Sequence, residues 1–551
     1  MELIDKVKTA IEYTKKRDFI QAEKIYLELL TENPENHTVL SFLGILYYEM
    51  RNLKKSDKYL TKSYKLQESK NIIPYIGRVK YLLKDYTEAL KYLELAIKEN
   101  PDIELYYFAL NSAAVICNYR KKNEIAQEAY KKFPFDKYIL YALAESNICI
   151  GNFKEGEKYC IQLIKQYPKF PSSWGCLGLL NELLYGAEEE ARNCYRKMVQ
   201  LGDKILGYTN LIISYEKISS PKVPYYIKKI DKICPNTQIN FLTASYYLKK
   251  KQFKKGYSYY VKKDIRSKAD IDWLNKFKKP WTGGSYKDET LLIYGDQGLG
   301  DQVQHARYLP YVTNKFKKIK VMFAPPLVDI MKRSFEKYSN IEVLEISDKF
   351  PKYDKSVQLS HVLYYLNMNF NHIPSTNGYL IGNDTKIKES HDKTFNTKNL
   401  KVGICWETGG KGIRDQIHRT LSISFFDEIL KLENTNFYSF QVKPKLEDYK
   451  NYKQLIDISE SFKNFDDTAA ALKNLDLLIT VDTSVAHMAG ALGIKTFLLL
   501  PYCVDWRWFN NTSTTEWYNV IKIFRQKHKS DWPNVFENVL EELKKIPKSV
   551  S

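Results

Sequence analysis

At 551 residues, with 44% hydrophobic and 27% charged side chains, the chain is long enough for roughly three to four domains of ~150 residues with real cores. Its 85 basic and 65 acidic residues leave a net charge of +20, but the lysines run along the whole length with no nucleic-acid motif, so nucleic acid is not the expected partner. Eight scattered cysteines without a CxxC pair, a charged N-terminus and no apolar run of ~18 residues argue against a disulfide framework, a zinc module, a signal peptide and a membrane span, leaving the cytoplasm as the expected compartment.

The first half reads as a helical repeat. Pro34, Pro101, Pro134 and Pro168 are separated by 67, 33 and 34 residues, a period near 34 with one member missing, as in paired-helix repeats. Ala22, Tyr26 and Pro34 close one unit; Leu40, Leu43, Gly44 and Tyr47 open the next; Gly77, Ala89, Ala96 and Pro101 mark a third. Trp174, Leu177 and Gly178 begin a later unit, and Ala244, Tyr247, Gly256 and Tyr260 suit a last, degenerate one. Small residues recur where helices cross closely, and aromatics fill the holes opposite. These residues resemble the tetratricopeptide repeat family, so residues 1–265 are expected to form an α-solenoid whose concave face holds a protein or peptide.

Residues 266–289, with Pro280, Gly283 and Gly284, read as a linker. Strand candidates then alternate with helices: TLLIY (290–294), IKVMFA (319–324) and IEVLEI (341–346) in one α/β half, 290–395. KVGICW (401–406), FYSFQV (437–442), LDLLITV (475–481), KTFLLLP (495–501) and YNVIKIFRQ (518–526) fall in a second, 396–551, after a polar, irregular stretch at 377–399. This order predicts two doubly wound, Rossmann-like α/β halves, with a cleft at the carboxyl ends of their strands.

Three stretches carry chemistry. In GDQGLGD (295–301), glycines including Gly298 and Gly300 turn the chain tightly so that Asp301 emerges near a helix start, as a functional carboxylate or simply as a cap. In VDTSVAH (481–487), Thr483 or Ser484 caps a helix whose first N–H groups make either an anion site, with His487 adding a ring donor, or only a capped core helix. Asp482 and His487 stand five apart and do not share a helix face for a metal. CWETGGKGIRDQIHRTLS (405–422) ends a strand in a basic loop with Lys411, Arg414, His418 and Arg419, a diphosphate clamp or a solvated surface. LPYCVDWRWF (500–509) brings Asp505, Arg507 and two tryptophans that need a partner surface.

GDQGLGDQVQHARYLP, DLLITVDTSVAHMAGALG and LPYCVDWRWF together resemble bacterial proteins that fuse tetratricopeptide repeats to a heptosyltransferase-like glycosyltransferase domain; the layout is similar to that of protein O-GlcNAc transferase. That resemblance implies a GT-B fold and metal-independent, inverting transfer from a nucleotide-diphosphate sugar, with no cofactor. It places Asp301 as general base and Arg419, Asp482, Thr483, Ser484, Val485 and His487 at the donor diphosphate. Gly298, Gly300, Gln304, Lys411, Arg414, His418, Asp505 and Arg507 are candidates for further donor or acceptor contacts. Ser484 stands where heptosyltransferases usually have Gly, so heptose specificity does not carry over. The expected acceptor is a protein held by the repeats; a surface glycan or lipid-linked acceptor, and a catalytically silent scaffold, are the alternatives.

Overall fold

The computed structural model describes residues 2–186, 188–234, 239–262, 274, 276–277, 279–295, 298–347, 349–369, 373–374, 377–409, 419–442, 451–510, 512–529 and 531–546. The chain divides into two compact units, Met1–Gly207 with Ile265–Lys276, and Tyr208–Asp264 with Phe277–Ser551. Among the described residues no helix is long and apolar enough to cross a membrane.

The first unit is a succession of helical hairpins, such as His37–Glu49 with Leu53–Leu66 and Lys137–Cys149 with Phe153–Gln166. Helices are begun by short polar side chains: Asp18, Asn36, Asn52, Asp102, Asn118 and Asp136 each accept a hydrogen bond from a first-turn N–H. The period is also written in the backbone. Arg17, Arg51, Lys84, Cys117 and Gly151, which recur every 33 or 34 residues, all have φ between 56° and 86° and turn one helix into the next. The small residues have the predicted cause: a Cβ on Gly44 would lie 2.6 Å from Leu60, and one on Gly178 2.4 Å from Tyr195. The proline missing from the period is Gln67, an extended residue that ends the helix Leu53–Leu66 before a short turn at Lys70–Ile72.

The expected solenoid runs to residue 265, whereas the two compact units divide at Gly207–Tyr208. The hairpin Asn240–Lys249 and Phe253–Tyr260 does keep the repeat contact, Gly256 against Leu248, but it belongs to the second unit. Its aromatic face is the reason: Tyr257 and Tyr260 meet Trp506 edge-on, and Phe253 lies 6.0 Å from Trp517. Trp506 and Trp508 are fully buried, so the surface they required is supplied by the chain itself.

The α/β part of this unit is built on two sheets. Strands β1 (Tyr286–Tyr294), β2 (Phe316–Phe323), β3 (Ile341–Glu345) and β4 (Lys355–Gln358) form an all-parallel sheet in the order β3-β2-β1-β4. The second sheet contains β5 (Leu400–Cys405), β6 (Thr435–Ser439), β7 (Leu455–Asp457), β8 (Leu477–Val481), β9 (Thr496–Leu500), β10 (Thr514–Thr515) and β11 (Tyr518–Arg525). Its order is β10-β11-β9-β8-β5-β6-β7, parallel except for the short β10. Every residue of β8 and β9 is buried, which explains their unbroken apolar runs. In register, Val402 of β5 sits between Phe437 of β6 and Leu477 of β8. The strand order therefore reverses at β5 and β8, the switch point where ligands bind in open α/β sheets.

The expected linker and the stretch before residue 400 both contain ordered elements. Part of the expected linker is structural: Pro280 bridges to Ser356, and Trp281 is 1% exposed. The stretch at 377–399 is not irregular throughout. It contains a helix, Asp384–Ser390, capped by Asn383, that lies against the helix Phe465–Lys473 of the second half through Lys386–Asp467 and Asn474–Ile387 contacts. The Asp384–Ser390 helix precedes the expected division at residue 395 and packs against a helix that follows it. It buries none of its residues, so it had no apolar periodicity to reveal it.

Candidate functional site

A cleft of about 740 Å³ opens at the switch point. Cys405 and Glu407 reach it from the end of β5, Gln441 from β6, Asp482 to Val485 from β8, and Asp505 and Arg507 from the loop after β9. The turn Gly298–Asp301 after β1 lines it from the other sheet.

The helix Ser484–Leu492 begins in this cleft. Thr483 is its N-cap, but neither Thr483 nor Ser484 provides the expected side-chain cap; Thr483 Oγ1 instead lies 3.4 Å from Thr480 Oγ1. Among the described residues no acceptor meets the backbone N–H of Ser484 or Val485, and first-turn N–H groups with the helix dipole favour an anion. The helix can come this close to its neighbour because Gly300 has no side chain: a Cβ there would lie 2.9 Å from His487. One missing methyl group thus brings the Leu299–Ala306 and Ser484–Leu492 helices together and sets Asp301 and Ser484 in one cleft.

Arg419 lines the same wall. Its Nε and Nη2 donate to the Asp482 carbonyl at 3.1 and 2.5 Å, and Nε is 3.4 Å from the Asp482 carboxylate. The guanidinium is one-third exposed and held at the end of β8. Asp482 is buried, which pushes its carboxyl pKa up, with Arg419 pulling it back; the side chain anchors Arg419. Lys411, Arg414 and His418 lie outside the described residues.

Asp301 is not a helix cap. Gly298 occupies that position, and the Asp301 carboxylate pairs with Arg507. Arg507 also donates to Asp505 at 2.7 Å and to Gln304 Oε1 at 2.9 Å, and its guanidinium lies over the Trp506 ring. Burial lowers the Arg507 pKa, but Asp301 and Asp505 outweigh it and hold the guanidinium charged. Burial raises the carboxyl of Asp505, whereas the Arg507 charge takes it below the ordinary value. Gln304 is fully buried, does not line the cleft, and accepts from Arg507 Nε through its Oε1.

His487 lines the cleft but is 5% exposed, stacked on Trp508 and hydrogen-bonded through Nδ1 to the Tyr518 hydroxyl at 2.9 Å. Burial, reinforced by Arg507 and Arg307, holds its pKa well below 6.5, so it is a neutral imidazole and adds no positive charge for an anion. A stability consequence follows with a defined sign. The folded state leaves His487 unprotonated while the unfolded chain takes up a proton below 6.5, so this contribution is complete above 6.5 and lost as pH falls. Between pH 7.5 and 5.5 it should remove about 1.4 kcal/mol. Urea denaturation followed by tryptophan fluorescence should show that extra loss in wild type relative to His487→Gln. Equal losses in both proteins would mean that His487 is not held neutral.

Several residues of this region were not singled out from sequence. Gln441 Oε1 accepts from the N–H groups of Trp406 and Glu407, tying the loop after β5 to β6. Arg307 is buried among the rings of Tyr379, Trp517 and Tyr518 and donates to the Trp517 and Gln304 carbonyls, holding both sheets' connections. Asp466 and Asp467, adjacent carboxylates in the first turn of the helix Phe465–Lys473, are engaged: Asp466 with Arg333 and Lys386, Asp467 with Lys386 and in a capping box with Asn464. Among the described residues no three His, Cys, Asp or Glu side chains are grouped to hold a metal ion.

No protein-family model matches the chain, and no curated protein matches it. Among solved structures it is similar to YrrB, described as a TPR protein with an unusual peptide-binding site, at 15% identity over 33% of this chain and 94% of that one, with a TM-score of 0.29. A tetratricopeptide repeat protein from Parabacteroides merdae matches at 17% identity over 43% and 94%, TM-score 0.33. Yeast Tom70 matches at 14% identity over 47% and 58%, TM-score 0.33.

Proposed function

We propose that this protein is a metal-independent, inverting glycosyltransferase of the GT-B kind, moving a sugar from a nucleotide-diphosphate donor to an acceptor hydroxyl. The observation that carries the reading is the meeting, in one cleft, of the open helix start at Ser484–Val485, the Arg419 guanidinium and the Asp301 carboxylate. The N–H groups and Arg419 bind the diphosphate and stabilise its charge as the sugar departs. Neutral His487 contributes a ring hydrogen bond, not charge. Asp301, across the cleft, takes the proton from the acceptor hydroxyl as it attacks the anomeric carbon. The repeats supply the acceptor, a protein, through surfaces that expose aromatic side chains such as Phe135 (75%) and Tyr138 (47%).

Thermal-shift screening of the full chain against nucleotide sugars tests the reading, because a true donor stabilises the fold by mass action. Transfer of labelled sugar, unaffected by EDTA, then tests the chemistry. Arg419→Ala should weaken donor affinity roughly 10- to 150-fold, the equivalent of ~1.5–3 kcal/mol for a charged hydrogen bond, as read by calorimetry. Unchanged affinity would remove Arg419 from the donor site.

A second reading, a silent scaffold that binds nucleotide or partner without turnover, draws on the pairing of Asp301 with Arg507, since a carboxylate engaged in this way also serves a purely structural purpose. Donor binding without transfer or hydrolysis would favour it.

A further inference from the structure

A second cavity, of about 760 Å³, lies beside the carboxyl end of β11, on residues distinct from those of the cleft. Its lining carries Lys217, Lys249, Lys250, Arg525 and Lys527 and no carboxylate. Lys249 is neutralised by Glu216 at 2.8 Å, but among the described residues Lys250 and Lys527 form no ion pair. A lysine-rich wall alone is an ordinary solvated surface. This one has a buried polar floor.

Gln526 is 4% exposed; its Oε1 accepts from the Tyr502 N–H at 3.1 Å, while Nε2 has no partner. The Thr512 hydroxyl and the Nε and Nη1 of Arg525 are likewise buried without partners. Leaving such groups unsatisfied is costly, so four beside one cavity need an account. All four are donors, and the cations around them favour the same ligand sign. Burial draws the Arg525 pKa down to about 10, in keeping with a guanidinium that has no counter-charge beside it. Its Nη2 alone is engaged, by the Trp508 carbonyl at 3.0 Å.

We infer that this cavity is a second anion-binding site, built to take the phosphate group of a small molecule through Lys250, Arg525, Gln526 and Lys527. A carboxylate offers two oxygens and one charge; a phosphate offers three oxygens and nearly two charges, the better match to three cations and several donors. The inference does not rest on the glycosyltransferase reading, because the segment Asp505–Phe509 separates the two sites: Arg507 turns to Asp301, and the Trp508 carbonyl to Arg525.

Equilibrium dialysis of the full chain against pyrophosphate tests it. Lys250→Ala/Lys527→Ala removes two exposed side chains and should bind one equivalent fewer than wild type, its affinity at this site falling at least tenfold. Lys250→Arg/Lys527→Arg should keep that equivalent. The difference of one holds whether or not pyrophosphate also enters the cleft, so failure here and failure of the donor-site reading are told apart. Sedimentation with phosphatidate vesicles, again lost in the alanine variant, would assign the phosphate to a lipid headgroup; dialysis binding alone assigns it to a free phosphate compound. Equal stoichiometry and affinity in wild type and the alanine variant, with both folded by melting temperature, overturns the site.

Discussion

Asp301→Asn is expected to slow sugar transfer by ~100-fold or more at saturating donor and acceptor, with donor affinity close to wild type. Asn keeps the shape of the side chain and an oxygen for Arg507, so the contact between the Leu299–Ala306 helix and the loop after β9 survives. What Asn lacks is the ability to accept a proton. The variant therefore separates two uses of one residue: a carboxylate that only holds Arg507 predicts near-normal turnover, and one that serves as base predicts a loss confined to the rate. Steady-state kinetics with labelled donor, alongside calorimetry of donor binding, reads both quantities. Normal turnover would return Asp301 to a structural role and strengthen the scaffold reading.

Arg507→Met is expected to destabilise the α/β unit by about 3 kcal/mol, near the lower end of the cost of breaking a buried ion pair. The side chain is 11% exposed and serves Asp301, Asp505 and Gln304 at once, so Met leaves two carboxylates without their shared cation and a buried amide without its partner. Asp301 and Asp505 keep 29% and 28% of their side-chain surface, which is why the cost is placed at the low end. The sign with pH is defined for Asp505. Its folded pKa is below the ordinary 3.8, so the contribution is present above 3.8 and lost as pH falls through the folded value. Acid denaturation below pH 4 should therefore be less steep in Arg507→Met than in wild type. Urea midpoints at neutral and acid pH measure both effects; a variant as stable as wild type would mean that solvent already screens the cluster.

The local elements were legible in the sequence because each carries its cause nearby. Gly44, Gly77 and Gly178 repeat with the helix crossings they permit, and the apolar runs at 477–481 and 496–500 are strands buried on both faces. The Asp482-Thr483-Ser484 break marked a strand passing into an open helix start, and Asp301 was placed on the turn that shares its cleft. Partners distant in the chain were a different matter. Whether Asp301 capped a helix or met a cation depended on Arg507, 206 residues away, and the charge of His487 depended on burial under Trp508 and Tyr518. The repeat signature continued to Tyr260, yet its last hairpin joined the second unit because Trp506 and Trp517, far along the chain, needed covering. By itself, then, the sequence determined periodicity, strand order along the chain and the residues at strand ends, all set by local sterics and patterning. The tertiary structure alone decided pairing, protonation and domain membership, because these depend on burial and on charges that meet only when the chain has folded.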